Sequence, residues 1–285
     1  MMIFYKYHGL GNDYLVYDIR KNNVQLTPES VKLICDRNFG LGSDGILKGP
    51  TDVNGEYGLT IYNPDGSIAE KSGNGVRIFS KYLKDAGYVK TESFTLHTLG
   101  GDVEVKYNNE SGTNLTVSMG TLRFTRDAIG GVDIPEETVD IPLEFNGKTY
   151  RCTCVSIGNP HCVIPLDEVN KDLACSIGKY SEVAKYFANR INTQLVKVID
   201  RNNIQVEIFE RGAGYTLASG SSSCAAAGAV YRLGLVDGSV TVHMPGGKLK
   251  IDIAPDFSVK MTGDVCSVGK MELSEEFIVS NKLYS

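Results

Sequence analysis

The chain repeats itself, and that limits its possible folds more than any other feature. Gly11-Asn12 in YHGLGNDYLVYD reappears 147 residues later as Gly158-Asn159 in VSIGNPHCVIPLD. Val16 and Val163 keep that offset. So do Ser72 and Ser219, each followed by glycine, and Gly87 and Gly234, which close the run behind each serine. TLHTLGGDVEV at 95–105 matches TVHMPGGKLKI at 241–251 at an offset of 146, so one residue has been lost in between. Matches in this order describe two copies of one unit, each of about 120 to 145 residues. The expected domains are residues 1–118, completed by about 268–285, and residues 119–267, with a ligand cleft between them. One period this long excludes a solenoid, which stacks many short units.

Within each copy the pattern is strands plus one dominant helix. FYKYHGLGNDYLVYD, YGLTIYN, SFTLHTL and GDVEVKY are β-rich and end in Gly, Asn or Pro. TYRCTCVSI, NIQVEIFER and SVTVHM repeat that pattern. TPESVKLICDRN reads as a helix capped by Thr27. Val76, Phe79 and Leu83 recur at helical spacing behind Ser72. SSSCAAAGAVYRLG is alanine-rich, as suits a closely packed central helix, and SEVAKYFANR reads as a further helix. The fold class is α+β, with two homologous domains.

Composition narrows the function. The 285 residues are 42% hydrophobic and 22% charged, with net charge −5, which argues against a nucleic-acid or anionic-membrane partner. The opening MMIFYKYHGLGND holds no apolar run long enough for a signal peptide, and nothing later could span a bilayer, so a cytoplasmic protein is expected. Seven cysteines, an odd number, do not suggest a disulfide framework. Cys152 and Cys154 share one strand face, with no second pair at zinc-ligand spacing, and read as buried thiols. No metal site and no cofactor motif is suggested: there is no H-E-x-x-H and no Walker A run.

The duplicated serine–glycine helix start carries the functional reading. A helix N-terminus offers unpaired N–H groups and the positive end of a dipole, which suit a carboxylate or phosphate. Here those amides belong to Gly73, Asn74 and Gly75, and to Gly220, Ser221 and Ser222. As single features, Ser72 and Ser219 would be ordinary N-caps. Doubled about a pseudo-twofold axis, they would place one side chain on each face of a substrate α-carbon. That is what a two-base racemase needs, and it requires no cofactor. Asn12 and Asn159, each 60 residues ahead of its serine, join the site on the same reasoning. Glu210-Arg211 and Asn63, the repeat counterpart of Glu210, are expected to read the substrate's distal end. His8 and His161 stand beside the Gly-Asn motifs, where each could support the site or simply pack.

HGLGNDYLVYD, RNFGLGSDGI, NPDGS, SGNGVR, GNPHCV, RINTQLV and ERGAGYTLASGSSSCAAA, in that order, resemble the diaminopimelate epimerase family over most of the chain. The resemblance implies two pseudo-symmetric domains, each a barrel-like sheet wrapped around a central helix. It implies interconversion of LL- and meso-diaminopimelate without pyridoxal phosphate, serving lysine and cell-wall precursor synthesis, and a homodimer. Substrate contacts are implied at Asn12, Asn63, Gly73, Asn74, Asn159, Asn192, Glu210, Arg211, Gly220 and Ser221. The family's two catalytic cysteines fall on Ser72 and Ser219. Tyr215 stands where the family usually has glutamate, and Gly45 where some members have glutamine. Two clean cysteine-to-serine changes suit an engineered, inactivated chain, whereas Tyr215 and the serines at 221–223 suit natural divergence. The alternatives are another isomerase or a dehydratase on the same scaffold, taking a hydroxyproline-like substrate, and a non-catalytic amino-acid binding protein.

Overall fold

The computed structural model describes residues 2–70 and 72–284. It divides into two compact units, Met1–Val117 with Gly263–Ser285, and Ser118–Thr262. The chain returns to the first unit earlier than residue 268 because strand Cys266–Glu272 pairs antiparallel along strand Ile3–Gly9. Both units are mostly sheet with few helices, an α+β organisation.

In the first unit, strands Ile3–Gly9 and Asn12–Asp18 form a hairpin. Its two-residue turn puts Leu10 at φ 57° and Gly11 at φ 85°, the left-handed pair a tight hairpin demands. Helix α1, Pro28–Cys35, then crosses over to strand Ile46–Val53, which lies parallel to Asn12–Asp18. Thr27 caps α1 as predicted, but Ser30 completes the capping box. A second crossover, helix α2 (Gly73–Asp85), links the parallel strands Glu56–Tyr62 and Ser93–Thr98. Residues 74–83 of α2 are all buried, so this helix is covered on every side. Two of its polar members are satisfied within the helix: Ser80 Oγ donates to Val76 O, and Lys81 pairs with Asp85.

The second unit repeats this order. Strand Pro160–Pro165 runs parallel to Asn192–Asp200 across helix α3, Lys171–Ser181. Strand Asn203–Glu210 runs parallel to Ser239–Met244 across helix α4, Gly220–Arg232. The registers coincide. Leu15 opposite Ile46 becomes Cys162 opposite Thr193, and Ile61 opposite Ala69 becomes Ile208 opposite Thr216. The helix ends coincide too: Tyr88 N donates to Leu83 O and Leu235 N to Val230 O, with Gly87 and Gly234 both at φ 74°. The alanine-rich face of α4 is buried from Ser222 to Val230.

One predicted helix is misplaced. SEVAKYFANR is turns beyond Ser181, and the helix lies just ahead of it. The Asn170 side chain accepts from Leu173 N and starts α3 there, which lets Ala174 and Ile177 enter the core. Continued into 182–190, the helix would have to carry Glu182 and Val183. Glu182 instead turns to accept from Gly212 N at 2.8 Å, and Val183 is exposed. Cys152, Cys154 and Cys162 sit together in this unit's core, without disulfides. Hydrogen bonding to Cys162 and burial push the Cys152 thiol up, so it is inert as a nucleophile.

α3 packs tightly against strand Asn203–Glu210: a Cβ on Gly178 would lie 2.2 Å from Phe209 Cγ and 2.5 Å from its Cβ. Gly178→Ala is therefore expected to lose about 1–3 kcal/mol through overpacking, despite alanine's better helix propensity. Urea unfolding followed by circular dichroism tests this, and an unchanged or raised midpoint would show that Phe209 yields. Among the described residues, no helix is long and apolar enough to cross a membrane.

Candidate active site

Ser72 and Ser219 are built alike. Each is the extended residue ahead of its helix, with φ/ψ of −142/116° and −149/131°. Ser72 Oγ accepts from Gly75 N at 3.1 Å, and Ser219 Oγ from Ser222 N at 3.5 Å. Ser72 is half-buried and Ser219 buried. At each start two further amides, of Gly73 and Asn74 or of Gly220 and Ser221, stand ahead of the first intrahelical bond.

Around Ser72 the polar groups form a directed chain. Arg77 is wholly buried, and its Nη2 donates to Asn74 Oδ1 at 2.7 Å. Asn74 Nδ2 donates to Asn12 Oδ1 at 3.1 Å, and Asn12 Nδ2 to Asp44 Oδ2 at 2.8 Å. Arginine can only donate and a carboxylate can only accept, so both amide orientations follow. Each amide nitrogen carries a second hydrogen besides the one donated in this chain. Arg37 binds Asp44 and Asp13, both at 2.7 Å, and Lys6 binds Asp13 at 2.8 Å. Burial alone would raise the Asp13 carboxyl. Hydrogen bonds from Arg37 and Lys6 outweigh that and hold it below its ordinary value.

Around Ser219 the equivalent positions are differently filled. Asn159 Nδ2 donates to Ser221 Oγ at 3.4 Å, as Asn12 meets Asn74. His161 Nε2 lies 3.0 Å from Asn159 Oδ1. A carbonyl oxygen only accepts, so the proton is assigned to Nε2. Desolvation dominates at His161 and, with Arg211 nearby, takes its pKa down to about 3 against a smaller opposing contribution from Gln194. It is neutral at pH 7. Asn192 pairs with His161 across the parallel strands. Its Nδ2 donates to Pro160 O at 2.8 Å, and its Oδ1 accepts from Arg211 N at 3.0 Å.

The predicted residues thus fall in two groups, one per unit. Asn12, Ser72, Gly73 and Asn74 are brought together, as are Asn159, Ser219, Gly220 and Ser221, with Asn192 and Arg211 reached through His161. Asn63 commits its side-chain amide to Ser67 Oγ in its own turn. Glu210 accepts from Ala213 N through its backbone carbonyl, in the tight turn that also carries Arg211, whose guanidinium donates to Asn189 O. Tyr215 donates to Glu207 Oε2 at 2.7 Å and packs against the second unit's core. His8 accepts from Gly11 N at 3.5 Å, within its own turn. Sequence reasoning missed Asp44, Arg77 and Tyr14, whose hydroxyl lies 3.4 Å from Ser72 Oγ. The repeat held a signal for Tyr14, because the same offset carries it onto His161.

A family model described as diaminopimelate epimerase matches residues 4–125 and 153–268. The chain is 48% identical to diaminopimelate epimerase 2 of Nostoc sp. (strain PCC 7120) over 276 residues, covering 96% of each. It is 37% identical to the diaminopimelate epimerase of Synechocystis sp. (strain PCC 6803), covering 91% of this chain and 94% of that one. Among solved structures, a PhzF-family phenazine biosynthesis protein of Bacillus anthracis superposes with TM-score 0.68 at 14% identity, over 96% of this chain and 99% of that one. A hydroxyproline epimerase of Agrobacterium vitis gives 0.66 at 12% identity, over 95% and 90%. At such identities the structures speak to the fold alone.

Proposed function

The chain belongs to the diaminopimelate epimerase family, and on that premise we propose that it epimerises diaminopimelate between its LL and meso forms by proton transfer at the α-carbon, without pyridoxal phosphate. One observation carries this reading: two half-sites of the same construction, each a serine capping a glycine-started helix beside an asparagine that touches the helix's second residue. In the proposal both serve one substrate carbon. The helix-start amides of Gly73, Asn74, Gly220 and Ser221 receive the α-carboxylate as it gains enolate charge. Ser72 and Ser219 stand where the protons are removed and returned. Asn63, Asn192, Glu210 and Arg211 are assigned to the distal amino-acid group. A cytoplasmic place in lysine synthesis follows from the substrate, and a homodimer is part of the proposal.

The test is α-proton exchange in D2O with LL-diaminopimelate, read by mass spectrometry and chiral chromatography. Deuterium at the α-carbon with appearance of the meso form is expected. If neither this chain nor its Ser72→Cys/Ser219→Cys variant exchanges the proton, while calorimetry still detects amino-acid binding, the protein is a binder and the reading is wrong.

A further inference from the structure

We infer that Tyr14 is a positioning residue for Ser72, lending its phenol hydrogen to Ser72 Oγ and making this half-site the more acidic of the two. The inference deepens the proposed function and rests on it for the role of Ser72. Asn12 and Tyr14 are two residues apart on strand Asn12–Asp18, so both point to one face of the sheet. Asn12 meets Asn74 in the first turn of α2. Tyr14, on the same face, reaches the start of that helix, its hydroxyl 3.4 Å from Ser72 Oγ.

The sheet is shaped to seat this ring. Tyr14 is buried, and the strand beside it approaches at Gly45. A Cβ at residue 45 would lie 2.8 Å from Tyr14 Cε1 and 2.3 Å from Tyr62 O. The Tyr62 carbonyl is the first atom such a Cβ would meet, and the same absence of a side chain at Gly45 leaves room for the Tyr14 ring. The second unit has a different pair at the corresponding positions, His161 and Asn192, and there His161 turns to Asn159. The repeat is thus broken at the residue that could address the serine.

The hydrogen-bond inventory of Ser72 gives the consequence. A serine oxygen has two acceptor sites and one hydrogen. Gly75 N–H lies 3.1 Å away and fills one acceptor site. The Tyr14 hydroxyl is placed for the other. At 3.4 Å the contact is longer than an ordinary O–H···O bond, and it shortens as Ser72 Oγ becomes an anion, when the acceptor gains charge. With both acceptor sites filled, Ser72's own hydrogen is the one it offers to substrate. Two donors then hold the charge left behind.

An introduced thiol reports this acidity without needing turnover. Ser72→Cys and Ser219→Cys are each prepared with and without Tyr14→Phe. Iodoacetamide alkylation is followed from about pH 6 to about pH 10 by peptide mass spectrometry, since the thiolate is the reactive form. At position 72, Tyr14→Phe is expected to raise the half-reaction pH by about one unit, the size of a charge-assisted hydrogen bond. At position 219 the half-reaction pH stays put. A fluorotyrosine at position 14, a stronger donor that keeps the ring, lowers the value at 72 and serves if the phenylalanine variant does not fold. An unmoved value at 72, or equal shifts at both positions, overturns the inference. Absence of epimerisation overturns the proposed function instead, and leaves this titration readable.

Discussion

Replacing Ser72 and Ser219 together by cysteine is expected to raise epimerisation of diaminopimelate by about 100- to 10,000-fold, the range a correctly matched general acid–base pair contributes. An unperturbed thiol titrates near 8.5, and the positive end of a helix lowers that value, so thiolate is present near neutral pH. A serine hydroxyl in the same place yields almost no alkoxide without a neighbouring base. The scaffold is ready for the exchange. Both positions have extended backbone ahead of the helix, and both side chains point back over its first turn. The cost is loss of a good cap at each helix, about 1 kcal/mol apiece, which thermal denaturation measures directly.

The single variants separate mechanism from scaffold. A lone thiolate can remove and return a proton on one face, so each single variant should exchange deuterium into one epimer with little inversion. Only the double variant should invert at the full rate. If one single substitution restores full epimerisation, the two-base assignment of Ser72 and Ser219 is wrong. If the double variant exchanges no faster than the parent chain, the serines are native to another chemistry, and product analysis with hydroxyprolines becomes the next measurement.

Much of the architecture was legible because duplication turns position into arithmetic. The pairing of Leu15 with Ile46 and of Cys162 with Thr193, and the helix stops at Gly87 and Gly234, sit where the common offset puts them. The start of α3 was not legible by periodicity alone. Its cap, Asn170, lies in a polar stretch, while the aromatic residues of SEVAKYFANR imitate a helical face that Val183 leaves exposed. The serines and the small residues behind them could be read from sequence, since helix starts announce themselves in local composition. The support beneath them could not. Asp44 is 32 residues from Asn12, Asn74 is 62 from it, and Tyr14 is 58 from Ser72. Such contacts depend on which strands become neighbours and which face each side chain takes. Only the repeat held a hint, in Tyr14 standing where the second copy has histidine.

That histidine should make the fold sensitive to mild acid. His161 is fully buried, and its pKa is brought down to about 3 by desolvation, with a further lowering from Arg211. In the unfolded chain it titrates near 6.5. Below that value the unfolded state binds a proton that the folded state refuses, so stability falls as pH falls, at about 1.4 kcal/mol per unit. About 2 kcal/mol is expected to be lost by pH 5, and about 5 kcal/mol over the whole interval down to pH 3. Carboxylates such as Asp13, held low by Arg37 and Lys6, also weaken the fold in acid, but at lower pH and equally in a variant that lacks the imidazole. Urea unfolding of the parent and His161→Gln at pH 7, 6 and 5 isolates the difference. Far-UV circular dichroism suits a chain without tryptophan. The parent should lose about 2 kcal/mol more than the variant between pH 7 and pH 5. With four histidines in the chain, proton NMR supplies a second reading that does not require the variant to fold. The His161 imidazole should show no titration down to pH 5, and if its resonance titrates near 6.5 the buried neutral histidine is not there.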